Sequence, residues 1–246
     1  MHVASGTFPG LRRAAWFITG RHGGFSPPPF DTCNLALHVG DDPATVLRNR
    51  SHVQTQIGAT AVAWMVAEHG DAVVRVDAPP IPEIDPGDVL ITVQPGVGLA
   101  ALAADCVPVA FANPHGVAVA HVGWRGLVAG TATTAVRAVA ALGPGDIDVV
   151  VGPAVCAACY PVPEERCAQV REACSGSVAE AALQRAGHLD VRAGVLAELH
   201  AISGEWATIG AIAVHGGCTA EDREYYSYRR DGRTGRHAMI VVMRDE

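Results

Sequence analysis

Three side chains, far apart in the chain, could do metal-assisted chemistry: His69, Cys106 and His121. They stand in Glu68-His69-Gly70, in Ala104-Asp105-Cys106-Val107-Pro108 and in His121-Val122-Gly123-Trp124-Arg125-Gly126. Two imidazoles and one thiolate make a borderline-soft donor set that suits Zn²⁺. Three protein ligands with a fourth position left to water or substrate is the catalytic rather than the structural zinc pattern. Spacing alone does not establish the set, because each residue has a plainer reading. Cys106 could be a small buried hydrophobe, His121 an ordinary strand end, and His69 a surface residue before a turn glycine. Arg125 stands where a helix should begin. Free N–H groups there favour an anion and the guanidinium adds charge, although pairing with a nearby carboxylate would serve as well.

The elements that must carry these residues follow from apolar runs and breakers. Strands are expected over Ala14–Thr19, Val62–Val66 (ending just before His69), Asp71–Val76 and Asp88–Thr92. Two apolar segments between Leu99 and Ala112 flank Ala104-Asp105-Cys106, and Val117–His121, Asp146–Val151, Gly210–Val214 and Met239–Met243 read as further strands. Asp42-Pro43 caps a helix to Ile57, with proline at the first helical position. Further helices are expected over Leu127–Leu142, from Pro163 to about Cys174, and over Val191–Ser203. Pro79, Pro80, Pro82 and Pro86 mark an irregular stretch. Strands and helices alternate irregularly, so the expectation is α/β or α+β: one domain over residues 1–246, with layered mixed sheets covered by helices.

The other thiols read as structural. Cys167, Val170 and Cys174 fall at the spacing of a core-facing helical stripe. That argues against a four-thiolate site joining them to Cys156-Ala157-Ala158-Cys159, and a Cys-x-x-Cys redox pair is a further weak alternative. Seven cysteines is an odd number, which suits reduced thiols in the cytoplasm rather than a disulfide frame. Met1–Gly10 lacks the basic head and apolar core of a signal peptide. No apolar run reaches the ~18 residues of a membrane span. A formal charge of −7 without a Lys/Arg block argues against nucleic acid as a partner.

Taken in order, these segments resemble the YfiH/laccase-domain family, once called multicopper polyphenol oxidases. The similarity begins at Thr19-Gly20-Arg21-His22-Gly23-Gly24-Phe25-Ser26, with Asn34-Leu35, His38 and Gly40-Asp41 beyond. It continues through His69-Gly70, Ala104-Asp105-Cys106-Val107-Pro108-Val109 and His121-Val122-Gly123-Trp124-Arg125-Gly126. Gly152-Pro153-Ala154, Cys159-Tyr160-Pro161-Val162 and Cys218-Thr219 follow, and Ser227-Tyr228-Arg229-Arg230-Asp231 with Thr234-Gly235-Arg236 completes it. The resemblance implies that His69, Cys106 and His121 are zinc ligands, and that Arg21, His22 and Asn34 line the substrate site. It implies phosphorolysis of adenosine, inosine, guanosine and methylthioadenosine to base and sugar 1-phosphate, with adenosine deamination also associated. Some members are named peptidoglycan editing factors. Two positions depart from the family pattern: Ala67 stands where Gln is usual and Ala103 where Thr is usual.

The leading expectation is therefore a zinc-dependent purine nucleoside phosphorylase whose partners are a nucleoside and phosphate. Cys106, His121 and Asp105 would form the reacting centre, Asp105 orienting a ligand or shuttling a proton. Arg125, Arg21 and Arg229 are the candidates for holding the anion. One rival is a metal-free cysteine hydrolase or amidase, with Cys106 as nucleophile and His121 as base, acting in peptidoglycan precursor editing. Another is a non-catalytic purine-binding protein. A multicopper oxidase is not expected, since none of the eleven histidines lies two residues from another.

Overall fold

The computed structural model describes residues 2–77 and 85–244. Its elements run β1 His2–Phe8, β2 Leu11–Thr19, α1 Pro43–Ile57, β3 Ala61–Trp64, β4 Val73–Arg75, β5 Val89–Thr92, β6 Val97–Ala103, β7 Val107–Asn113 and β8 Gly116–Val122. Then come α2 Trp124–Ala129, α3 Thr131–Ala140, β9 Ile147–Val151, α4 Glu164–Ala173, α5 Gly176–Ala182, α6 Val191–Ile202, β10 Ile209–Val214, α7 Tyr228–Asp231 and β11 His237–Met243. Of the proline-rich stretch, Pro79, Pro80 and Pro82 lie outside the described residues.

The strands form two mixed sheets, one in the order β1-β2-β11-β6-β3 and the other β10-β9-β7-β8-β5-β4. Successive strand residues point to opposite faces, and here both faces are covered. Trp16, Ile18, Leu99, Met239 and Val241 of the first sheet meet Leu90, Ala110, Val117, Val119 and Val150 of the second in one apolar layer. The alternate residues Phe17, Ala100, Leu102 and Ile240 face outward and pack with Val53 and Ile57 of α1. On the far side of the second sheet, Val109, Phe111, Ala120 and Val122 pack against α2 to α6 through residues such as Leu127, Val136, Val170 and Leu199. The result is four layers, helix–sheet–sheet–helices. Burial on both faces explains why the strands read as unbroken apolar runs.

Most expected elements form, with shifts of a few residues at their ends. The Asp42 side chain accepts from the Thr45 N–H at 2.9 Å, capping α1. One expected element is divided. The helix read over Leu127–Leu142 is two helices, α2 and α3, broken at Gly130, whose φ of 75° lies in the left-handed region. Three elements escape the pattern reading: β1, α5 and the one-turn helix α7. β1 is an edge strand pairing antiparallel with β2, and its residues mix small and polar types. α5 is short and opens on Gly176.

The layering sets up the site. The chain passes from the first sheet to the second twice, between β3 and β4 and between β6 and β7. His69 lies on the first passage and Cys106 on the second, while His121 belongs to β8.

Candidate active site

The ligand atoms of His69, Cys106 and His121 lie within 4.8 Å of one another. The two imidazole rings meet edge to face, with centroids 4.9 Å apart. The backbone is bent to achieve this. Among the described residues, His69 (φ 64°) and Asp105 (φ 105°) are the two non-glycine residues at positive φ, a conformation that costs free energy and persists where surrounding structure enforces it. Gly123 closes the third side: a Cβ there would stand 3.0 Å from the His69 ring and 3.2 Å from Cys106 Sγ.

Asp88, fully buried just before β5, organises the ligands. Its Oδ1 is 2.9 Å from His121 Nδ1. The same carboxylate accepts the N–H groups of Glu68, His69 and Gly70 at 3.0, 3.1 and 2.8 Å. It therefore folds the His69 loop and orients the His121 ring, leaving Nε2 for a metal. Carboxylate-oriented imidazole is the usual arrangement around protein zinc. Burial opposes the Asp88 charge, but hydrogen bonds from His121, Gly70 and Glu68 outweigh it and hold the carboxyl below its ordinary value.

Burial works against the Cys106 thiolate too. The positive charge and hydrogen bond of His121, with help from His69, reverse that and bring the thiol down to about 6. His121 moves the opposite way: burial would lower it, yet Cys106 and Asp88 raise it to about 9. Each group thus favours the charged form of the other. A thiol disposed to ionise and an imidazole aimed by Asp88 match the donor chemistry of zinc, whose binding would displace their protons.

The cluster opens into a cavity of about 1260 Å³. Of the residues singled out from the sequence, Arg125, Arg229 and Asp105 line it. Arg125 is exposed, its guanidinium 5.1 Å from the Trp124 ring centroid, and Arg229 lies 4.4 Å over Tyr160. Asp105 is a scaffold rather than a free acid. Its Oδ1 accepts from Thr219 and Ser227 hydroxyls, each at 2.7 Å, and its Oδ2 from the Arg229 N–H at 2.7 Å. That leaves the expected proton-shuttle role without a free carboxylate.

Arg21, His22 and Asn34 fall outside the cavity lining. Arg21 is held 3.4 Å from both Asp31 and Asp231. His22 is exposed. Asn34 is fully buried, with its amide bonded to the Ala36 carbonyl and Asp41 and its Oδ1 accepting from the Ala36 and Arg236 N–H groups. Their place near the site is indirect, through the segment before α1 and the segment before β11.

Among the cavity residues not assigned a role from sequence are His38, Arg50 and Arg236. Arg50 donates through Nε to the Leu35 carbonyl at 2.9 Å and stacks over Trp64. Arg236 donates to the carbonyls of Thr234 and Gly235, both at 3.0 Å. Burial lowers the Arg50 guanidinium to about 10 and lowers that of Arg236 as well. His38 is lowered by partial burial and then by the charges of Arg236, Arg50 and His121. His38 and Arg236 sit inside motifs legible in the sequence, but their burial is not. Arg50 lies on α1 with nothing local to mark it. Ala67 and Ala103, the two departures from the family pattern, also line this cavity.

Comparison with known proteins agrees with this architecture. The family model described as multi-copper polyphenol oxidoreductase laccase matches residues 15–244. A Streptomyces coelicolor protein named purine nucleoside phosphorylase is 43% identical over 91% of this chain and 93% of its own length. A Mycobacterium tuberculosis protein of the same name is 39% identical over 98% and 97%. Among solved structures, a Neisseria meningitidis protein superposes with a TM-score of 0.83 at 29% identity, covering 98% of this chain and 99% of that one. YlmD from Geobacillus stearothermophilus gives 0.81 at 31% identity, over 96% and 94%.

Proposed function

The chain belongs to the multi-copper polyphenol oxidoreductase laccase family, and on that footing we propose that it is a zinc-dependent purine nucleoside phosphorylase. Its substrates would be adenosine, inosine, guanosine and methylthioadenosine, released as base and sugar 1-phosphate. The names of its relatives support the reaction class. The single observation that carries the reading here is that the His69–Cys106–His121 cluster faces one cavity together with two guanidiniums, Arg50 and Arg236, that donate to backbone carbonyls. Burial makes both cations costly; the charges of Cys106 and Asp105 offset part of that cost for Arg236, and an anion in the cavity would relieve more of it.

In this reading Arg50 and Arg236 hold phosphate, and Arg125 and Arg229 close over it from the rim. Arg21 is not needed, since Asp31 and Asp231 already face it. His69, Cys106 and His121 would hold zinc, which when bound supplies a Lewis acid beside the substrate. Asp88 keeps His121 pointed at that position, and Asp105 fixes the turn from which Cys106 projects. Trp64, Trp124, Tyr160 and Tyr228 supply flat apolar walls for a purine. Phosphate oxygen bonds to the anomeric carbon as the bond to the purine nitrogen breaks. The cavity's task is to align the two and keep water out.

The test is product analysis on a nucleoside panel with and without phosphate. Base and sugar 1-phosphate should appear only with phosphate. Arg50→Ala and Arg236→Ala should each reduce that reaction by ~10²-fold, on the scale of one lost charge-assisted contact to a transition state. Base release without phosphate would make the protein a hydrolase, and inosine formed from adenosine without phosphate would add deamination. Turnover that survives metal chelation would point to Cys106 and His121 acting as a nucleophile–base pair. No turnover at all would leave a binding protein.

A further inference from the structure

Three cysteines that the cavity does not use meet elsewhere. Among the described residues, the sulfurs of Cys156, Cys159 and Cys218 and a carboxylate oxygen of Glu221 all lie within 4.8 Å of one another. They come from two turns of the same spacing, Cys156-Ala157-Ala158-Cys159 and Cys218-Thr219-Ala220-Glu221. The first is a short 3-10 turn over Ala157–Cys159, closed by the Cys159 N–H on the Cys156 carbonyl at 3.0 Å. The second is closed on the Cys218 carbonyl by the N–H groups of Glu221 and Asp222 at 3.1 and 2.9 Å. A parallel bridge between Ala154 and Cys218 sets the turns side by side.

The sulfurs lie at the edge of the core, Cys218 within it and Cys156 and Cys159 packed against it, and a carboxylate stands among them. The Cys156 N–H points at Cys218 Sγ from 3.3 Å. Glu221 Oε1 stands 3.5 Å from Cys159 Sγ and 4.0 Å from Cys156 Sγ. Cys167 and Cys174 take no part, as their helical spacing led one to expect. Cys167 is buried in the core, and Cys174 lies against the Leu127 carbonyl. The partners of Cys156 and Cys159 come instead from a turn some sixty residues further on.

We propose that Cys156, Cys159, Cys218 and Glu221 form a second zinc site, closed by four protein ligands and structural in role. Three thiolates select a soft or borderline metal over magnesium or calcium, and four protein donors complete a tetrahedron. The site braces the first one. Thr219, inside the second turn, donates to Asp105 Oδ1, and the Val155 N–H beside the first turn donates to the Asp105 carbonyl at 3.0 Å. Both contacts fix the backbone from which Cys106 projects.

The experiment is elemental analysis of full-length protein purified under reducing conditions, with cobalt substitution as a second readout. Cys156→Ser/Cys159→Ser should carry about one zinc per chain less than the parent. Cys106→Ala, which disables the cavity site, should still take up about one cobalt and show an intense thiolate-to-cobalt charge-transfer band. That second measurement decides the matter even if the double variant does not fold. Equal metal content in the double variant and the parent would overturn the proposal. So would a Cys106→Ala protein without the charge-transfer band, or a disulfide among the three cysteines under the same conditions.

Discussion

One carboxylate, Asp88, joins the His69 loop to the His121 ring, and its replacement by asparagine isolates that role. The amide would keep an acceptor but lose the charge that matches the imidazole N–H. Asp88→Asn should weaken zinc binding by roughly 10–100-fold, the usual scale for a residue that orients a metal ligand. Competition with a chromophoric chelator measures it, and unchanged affinity would show that packing alone aims His121. The sequence presents Asp88 only as the acid that opens an expected apolar strand, because its role depends on burial and on partners eighteen to thirty-three residues away. His237 poses the opposite case. Burial first, and then the charge of Arg236, lower it to about 3, and neither ring nitrogen has a hydrogen-bond partner among the described residues. In the unfolded chain it titrates near ~6.5. Between those values the unfolded state binds the extra proton. Its contribution to stability is therefore complete above about 6.5 and is lost as pH falls, by up to ~1.4 kcal/mol per pH unit. His237→Phe should flatten the dependence of the urea midpoint on pH between neutrality and mild acid. A slope as steep as the parent's would assign the acid sensitivity to other groups.

At the junction of β8 and α2, Gly123 is selected by its neighbours more than by its dihedrals. A methyl group there would press on His69 and Cys106 together. Gly123→Ala should therefore weaken zinc binding by ~10-fold or more while the thermal transition stays cooperative, since displacements of about 0.5 Å suffice to spoil a metal site. Retained affinity would mean that the two ligands yield without cost. The glycine was visible in the sequence as part of His121-Val122-Gly123-Trp124, but the reason for it was not, because His69 and Cys106 reach it through space. The reverse holds for Gly130. A Cβ there would meet Glu198 and Thr133 only at ordinary contact distances of 3.8 and 3.9 Å, so it is the left-handed φ that divides α2 from α3. An apolar, alanine-rich run without proline reads as one continuous helix, so the break was illegible. The start of α1 was legible because Asp42 and Pro43 mark it, and the helix ends at Ile57 with Gly58 as its C-cap.

Across the whole molecule, the existence of most strands could be read, but not their pairing. Strands buried on both faces lose the alternation that would say which residues face which layer. β6 and β11 are neighbours although well over a hundred residues separate them. The cationic wall of the cavity was hidden for the same reason. Arg50 comes from α1 on one outer layer and Arg236 from the segment entering β11, and only the assembled layers bring them to His121.

Two of the three cavity ligands ride on the passages between the sheets, and the third belongs to the second sheet alone. A metal held by them would act as a clasp across the seam and resist sliding of one sheet over the other. Its release should then be felt along the seam rather than only in the His69 loop. Chelation is expected to lower the thermal midpoint and to speed amide exchange in β6 and β7 together, because a ligand confined to the native state adds RT ln(1 + [L]/Kd) to its stability. Faster exchange limited to the residues around His69 would mean that the sheets hold their alignment unaided, leaving the metal a passenger on a seam that is already locked.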